Sequence, residues 1–153
     1  GYTKTGNPEV FLYDLKGKKL KQICKNGYFG QIVGKYIAIQ TISSSGKSGM
    51  TLYRKSDGQK IKTITSNCSY YEFIDNTFYY VEPIAEFKYK IKSYNIEKKK
   101  TITYGTIKAN EFGAITSKYL YYSNGPMIGE CKYYKYSFAK KKSIRITEEA
   151  FQY

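Results

Sequence analysis

The sequence predicts an all-β protein of β-propeller type: four-stranded antiparallel blades, about three to four of them, forming a partial or open propeller. Three observations predict it. The motif LYDLKGKKLKQIC at 12–24 returns as LYRKSDGQKIKTIT at 52–65, SYNIEKKKTIT at 93–103 and KYSFAKKKSIRIT at 135–147. Its anchoring residues Tyr13, Tyr53, Tyr94 and Tyr136 stand 40, 41 and 42 residues apart, a period within the range of one blade. Within each period the apolar runs are rich in β-branched and aromatic residues and are interrupted by Gly, Asn, Asp, Ser and Lys, which is strand-and-turn chemistry.

Each period supplies four strands in a fixed order. The first is short: Phe29, Tyr71 and Phe112 open apolar segments that end near Val33, Ile74 and Ile115. The second is GKYIAIQT at 34–41, NTFYYVEP at 76–83 and SKYLYYSN at 117–124, read with Tyr36, Phe78 and Leu120 in step, 42 residues apart. The third ends in the anchoring tyrosine, and the fourth lies around Leu20, Ile61, Ile102 or Ile144. The alternation in Lys60–Ile61–Lys62–Thr63–Ile64 reads as period two, with isoleucines on one face and polar residues on the other. Lys16–Gly17 and Asp57–Gly58 suit tight hairpin turns, since glycine accepts positive φ. Helices are expected to be scarce.

The units fall at approximately 9–27 (partial), 28–67, 68–106, 107–147 and 148–153 (partial), within a single repeat domain spanning 1–153. Because Thr65–Tyr71 aligns with Thr147–Tyr153, the last unit stops inside a first strand. Repeat arrays need covered ends. A fragment of a longer propeller is therefore the preferred expectation, ahead of a homodimer that completes one ring and of a short capped array.

The unit seen best in Tyr119-Leu120-Tyr121-Tyr122-Ser123-Asn124 through Ile146-Thr147 resembles the propeller repeats of uncharacterised secreted proteins and lipoproteins from Gram-positive anaerobes, themselves similar to TolB-type and YWTD-type propellers. The chain has no Trp, so neither a Trp-Asp dipeptide nor a full Tyr-Trp-Thr-Asp signature is present. The resemblance implies an exported β-propeller used for binding or assembly, and it transfers no catalytic residue. An extracellular or cell-surface location is the matching expectation, with a signal or lipid-anchor segment removed ahead of residue 1 and the cytoplasm as the alternative. No run approaches the roughly 18–20 apolar residues of a membrane span.

Net charge is +14, and of 26 basic residues only Arg54 and Arg145 are arginines. That imbalance argues against nucleic acid, where the bidentate guanidinium fork is favoured. Position matters more than composition. Lys16, Lys18 and Lys19, then Lys55 and Lys60, then Lys98, Lys99 and Lys100, then Lys140, Lys141 and Lys142 occupy the turn between third and fourth strands. Lys35 and Lys118 occupy the turn between first and second strands, which shares the same end of a blade. One face is thus expected to be basic and to attract polyanions such as cell-wall polymers, anionic lipid headgroups or acidic glycans through a salt-sensitive field.

The opposite face consists of the connections between second and third strands, at 43–49, 82–87 and 124–130. Loops on a regular scaffold are where recognition is commonly placed. Ile84, Phe87, Met127 and Ile128 are the candidate contact residues there for a protein or glycan, accompanied by Glu82, Glu86 and Glu130. The tyrosine pairs 70–71, 79–80, 121–122 and 133–134 each send one ring to either face of a strand, and most are read as core.

Catalytic chemistry has little to work with. There is no histidine, which removes Ser–His and Cys–His nucleophiles and histidine-ligated zinc. Glu82 with Glu86, or Glu148 with Glu149, would serve a glycosidase only at a defined separation across a cleft, and solvated surface acids are the simpler reading. No metal or cofactor is expected. Cys24, Cys68 and Cys131 are too far apart in sequence for a ligand pair and are read as small buried hydrophobes. The leading expectation is a non-catalytic binding module, followed by a structural or assembly role and then by a glycoside-acting enzyme.

Overall fold

A computed structural model of the chain describes residues 8–13, 16–125 and 130–146. Every regular element among them is a β-strand. Contacts divide the chain into two compact units, 1–68 and 69–153, each described by itself below.

The first unit opens with an antiparallel ribbon of β1 (Val10–Tyr13) and β2 (Lys19–Cys24). A four-stranded meander follows: β3 (Gly27–Val33), β4 (Tyr36–Ile42), β5 (Ser48–Arg54) and β6 (Lys60–Thr65), paired in that order. The second unit holds two further meanders. One is β7 (Tyr70–Ile74), β8 (Thr77–Ala85), β9 (Lys88–Asn95) and β10 (Lys100–Lys108); the other is β11 (Glu111–Ile115), β12 (Tyr119–Asn124), β13 (Lys132–Ser137) and β14 (Lys142–Ile146). All pairings are antiparallel. The fold class is all-β, made of four-stranded blades of propeller type, and β1–β2 corresponds to the last two strands of such a blade.

Register corrects the sequence reading of the second strands by one position. Opposite the anchoring tyrosines Tyr53, Tyr94 and Tyr136 lie Ile37, Phe78 and Leu120. Ile37, not Tyr36, is therefore the counterpart of Phe78; Tyr36 pairs with Arg54 and points to the other face. A slip of one residue exchanges the two faces of a strand, so burial decides the matter. Ile37, Phe78 and Leu120 are 6%, 0% and 0% exposed, whereas Tyr36 is only half-buried.

The fourth strand also departs from simple alternation. Along β5 the partners jump from Thr65 to Thr63 and from Lys62 to Lys60, which leaves Ile64 and Ile61 as the extra residues of two β-bulges. The isoleucines therefore do not share one face by period two. Bulges concentrate at sheet edges, where one side of the ladder is open to adjustment.

The core of the second unit shows how two blades stack. Val81, Ile91 and Ile107 of one sheet pack with Ile115, Leu120, Tyr122, Tyr136 and Phe138 of the next. Aromatic rings bridge them: Tyr70 stacks on Phe112 at 5.5 Å and Tyr79 on Phe138 at 5.0 Å, while the Tyr70 hydroxyl donates to the Gly113 carbonyl at 3.0 Å. Gly105 supplies a gap in β10 that receives the Tyr136 hydroxyl; a Cβ there would collide with it. Each fully buried side chain such as Leu120 contributes about 2 kcal/mol through removal of apolar surface from water.

Candidate functional site

The turns build a repeated edge. In every four-stranded sheet the first and third turns are tied by a backbone bond: Lys55 N–H to Lys35 carbonyl at 2.9 Å, Ile96 N–H to Asn76 carbonyl at 2.8 Å, and Phe138 N–H to Lys118 carbonyl at 3.1 Å. The donors and the acceptors recur at 41 and 42 residues. Both turns thus lie at one end of each blade. The third turn needs one left-handed residue, and the same repeat position supplies it each time: Gly17, Gly58, Lys99 and Lys141, with φ of 78°, 67°, 52° and 50°.

This geometry exposes the lysines. Lys16, Lys18, Lys19, Lys35, Lys55 and Lys60 of the first unit are all exposed, as are Lys98, Lys99, Lys100, Lys118, Lys140, Lys141 and Lys142 of the second. In the second unit the two lysine-bearing ends are held side by side, because Phe138, just after its turn bond, stacks on Tyr79 near the start of β8 and packs on Tyr104 at 4.8 Å. Asp75 and Glu97 are the carboxylates of those turns among the described residues, and Glu97 accepts a bond from Asn76 at 2.8 Å. None of the seven lysines takes part in an ion pair among the described residues, in contrast to Arg54 with Asp57 and Lys92 with Glu82, each at 2.8 Å.

The first unit tempers its own edge. Lys21 donates to the Asp57 carbonyl, Arg54 pairs with the Asp57 carboxylate, and the Gln59 N–H reaches the same carboxylate at 3.0 Å. That backbone bond first, and the Arg54 guanidinium second, hold the Asp57 carboxyl below its ordinary pKa. Lys19 lies over the Phe11 ring at 3.6 Å.

The opposite end differs from the loop picture. Glu82 and Ile84 are strand residues, because β8 runs to Ala85 and pairs with β9 down to Lys88. Only Glu86 and Phe87 remain as the hairpin turn, with Phe87 at φ 53°. The cross-strand pairing of Glu82 with Lys90 and its ion pair with Lys92 explain why the segment extends the ladder. Ile84 and Phe87 are nonetheless 47% and 44% exposed. Glu86 and Glu130 are exposed, while Met127 and Ile128 lie outside the described residues. Of the acid pairs, Glu82 is engaged with Lys92, and Glu148 and Glu149 lie outside the described residues. No cluster of three or more His, Cys, Asp or Glu that could hold a metal occurs among the described residues.

The paired tyrosines divide between faces. Tyr80 and Tyr122 are buried, whereas Tyr133 is 55% exposed and lines a hollow of about 220 Å³ with Phe112, Tyr121, Ser123 and Ile146. Burial raises the phenols of Tyr79, Tyr122 and Tyr136 above their ordinary value. Cys68 is buried, Cys24 is half-buried, and Cys131 is exposed in the connection ahead of β13, so the expectation of buried cysteines fails for Cys131. No helix among the described residues is long and apolar enough to cross a membrane. The chain matches no protein-family model and no curated protein.

Proposed function

We propose that this chain is a non-catalytic binding module whose lysine-bearing blade edge holds an extended anionic polymer. The observation that carries the reading is the side-by-side placement of Lys98–Lys100 with Lys140–Lys142, flanked by Lys118, in the second unit without ion-pair partners among the described residues. Ammonium groups gathered at the turn ends of adjacent blades produce a field that a linear polyanion can follow. Lysine suits this task because it acts as a point charge and demands no planar partner. The resemblance to exported propeller repeats favours a bacterial surface setting, where anionic wall polymers and acidic glycans are the available partners.

A second reading rests on Ile84 and Phe87, whose exposure at a rigid hairpin tip fits contact with a protein. The two readings separate by mutation. Replacing Lys98, Lys99, Lys140 and Lys141 with Gln abolishes retention of poly(glycerol phosphate) or polyglutamate on immobilised protein if the edge is the site. Retention unchanged in that variant, but lost in Phe87→Ser with Ile84→Ser, overturns the edge reading in favour of the tip.

A further inference from the structure

In the first unit a cavity of about 360 Å³ lies between the end of β2 and one face of the β3–β6 sheet, a volume in the lower range of small-molecule pockets. Its lining is wholly unlike a packed blade face. Lys25, Lys47 and Lys60 line it together with Thr41, Thr51 and Ser66, and among the described residues no carboxylate does.

The repeats differ in side-chain size at this face. The cross-strand pair two positions along from the anchor pair is Ile39 with Thr51 here, Tyr80 with Lys92 in the second sheet, and Tyr122 with Tyr134 in the third. In the third sheet the two rings stack at 5.3 Å and line the hollow of about 220 Å³; in the second, Lys92 crosses to Glu82. In the first sheet Thr51 is small, 4% exposed, and 3.4 Å from the hydroxyl of Thr63.

We propose that this cavity is a binding site for a small polyhydroxylated ligand carrying one anionic group, such as a sugar phosphate or sugar acid. The ammonium groups hold the anion, and the threonine and serine hydroxyls exchange hydrogen bonds with the ligand's hydroxyls. Tyr53 closes one wall; burial, reinforced by a hydrogen bond with Cys24, pushes its phenol up. The site does not depend on the lysine edge of the second unit.

The test is an NMR titration of the whole chain with glucose 6-phosphate, glucuronate, glucose and inorganic phosphate. Glucose 6-phosphate and glucuronate should shift the amides of Thr41, Thr51 and Ser66, while glucose and phosphate alone bind at least about tenfold more weakly, the worth of one lost charge-assisted contact. Thr51→Tyr, which puts a phenol ring on the cavity wall, should abolish the response. Lys47→Gln, in an exposed loop that does not threaten folding, should weaken it by about tenfold. The Lys98, Lys99, Lys140 and Lys141 to Gln variant should leave it unchanged. Equal affinity for glucose, equal affinity for phosphate alone, no response to any probe, or full binding by Lys47→Gln would each overturn the proposal.

Discussion

At the scale of single residues, the third turns carry the most legible strain. Gly17 and Gly58 accept left-handed φ freely, whereas Lys99 and Lys141 hold the same conformation with a Cβ. A left-handed non-glycine residue costs about 1–2 kcal/mol, offset in part by glycine's larger unfolded-state entropy. Lys99→Gly and Lys141→Gly should therefore each stabilise the protein by up to about 1 kcal/mol in urea unfolding. Unchanged or lower midpoints would contradict the turn assignment. Tyrosine ionisation gives a second expectation. The folded-state phenols of Tyr79, Tyr122 and Tyr136 sit above the unfolded value, so the stability they contribute is whole below pH about 10 and is lost as pH rises through their folded values. Unfolding midpoints measured against pH should fall on the alkaline side together with rising phenolate absorbance. Tyr122→Phe should soften that fall, at a cost of about 1 kcal/mol near neutrality from the lost 2.7 Å bond to Ser143.

At the scale of elements, blade packing depends on a few close approaches. Gly105→Ala places a methyl group against the Tyr136 hydroxyl and should destabilise the second unit by about 1–3 kcal/mol through overpacking. Phe138→Ala removes the ring that stacks on Tyr79 and packs on Tyr104, and should cost about 3–5 kcal/mol. Denaturant midpoints check both, and a Gly105→Ala protein as stable as the parent would refute the contact. The strands themselves were readable because their composition and spacing recur, down to the glycine turns at Gly17 and Gly58. Two features were not. Tyr36 and Ile37 are both apolar and adjacent, so spacing alone cannot choose which faces inward; cross-strand partners do. The bulges at Ile61 and Ile64 arise from pairing with β5, information that a single strand's alternation does not contain.

At the scale of the whole molecule, the lysine turns were legible because turn sequences repeat with the blades, and the structure leaves all of them exposed. The Glu86–Phe87 hairpin is shorter than the 82–87 connection that the sequence predicts, because the ion pair of Glu82 with Lys92 and the pairing of Pro83 with Tyr89 extend the ladder. The cavity of the first unit had no sequence signal, since its lining is gathered from residues as far apart in the chain as Cys24 and Ser66. The proposed function rests on the binding of anionic polymer by the exposed lysines of the second unit's blade edge. Titrating poly(glycerol phosphate) into the protein over a series of NaCl concentrations tests it most directly. The affinity should drop steeply as the Debye length contracts from about 10 Å at 0.1 M towards about 3 Å at 1 M, and the Lys98, Lys99, Lys140 and Lys141 to Gln variant should show neither the affinity nor the salt dependence. Binding that is indifferent to salt, or that survives in that variant, would contradict it.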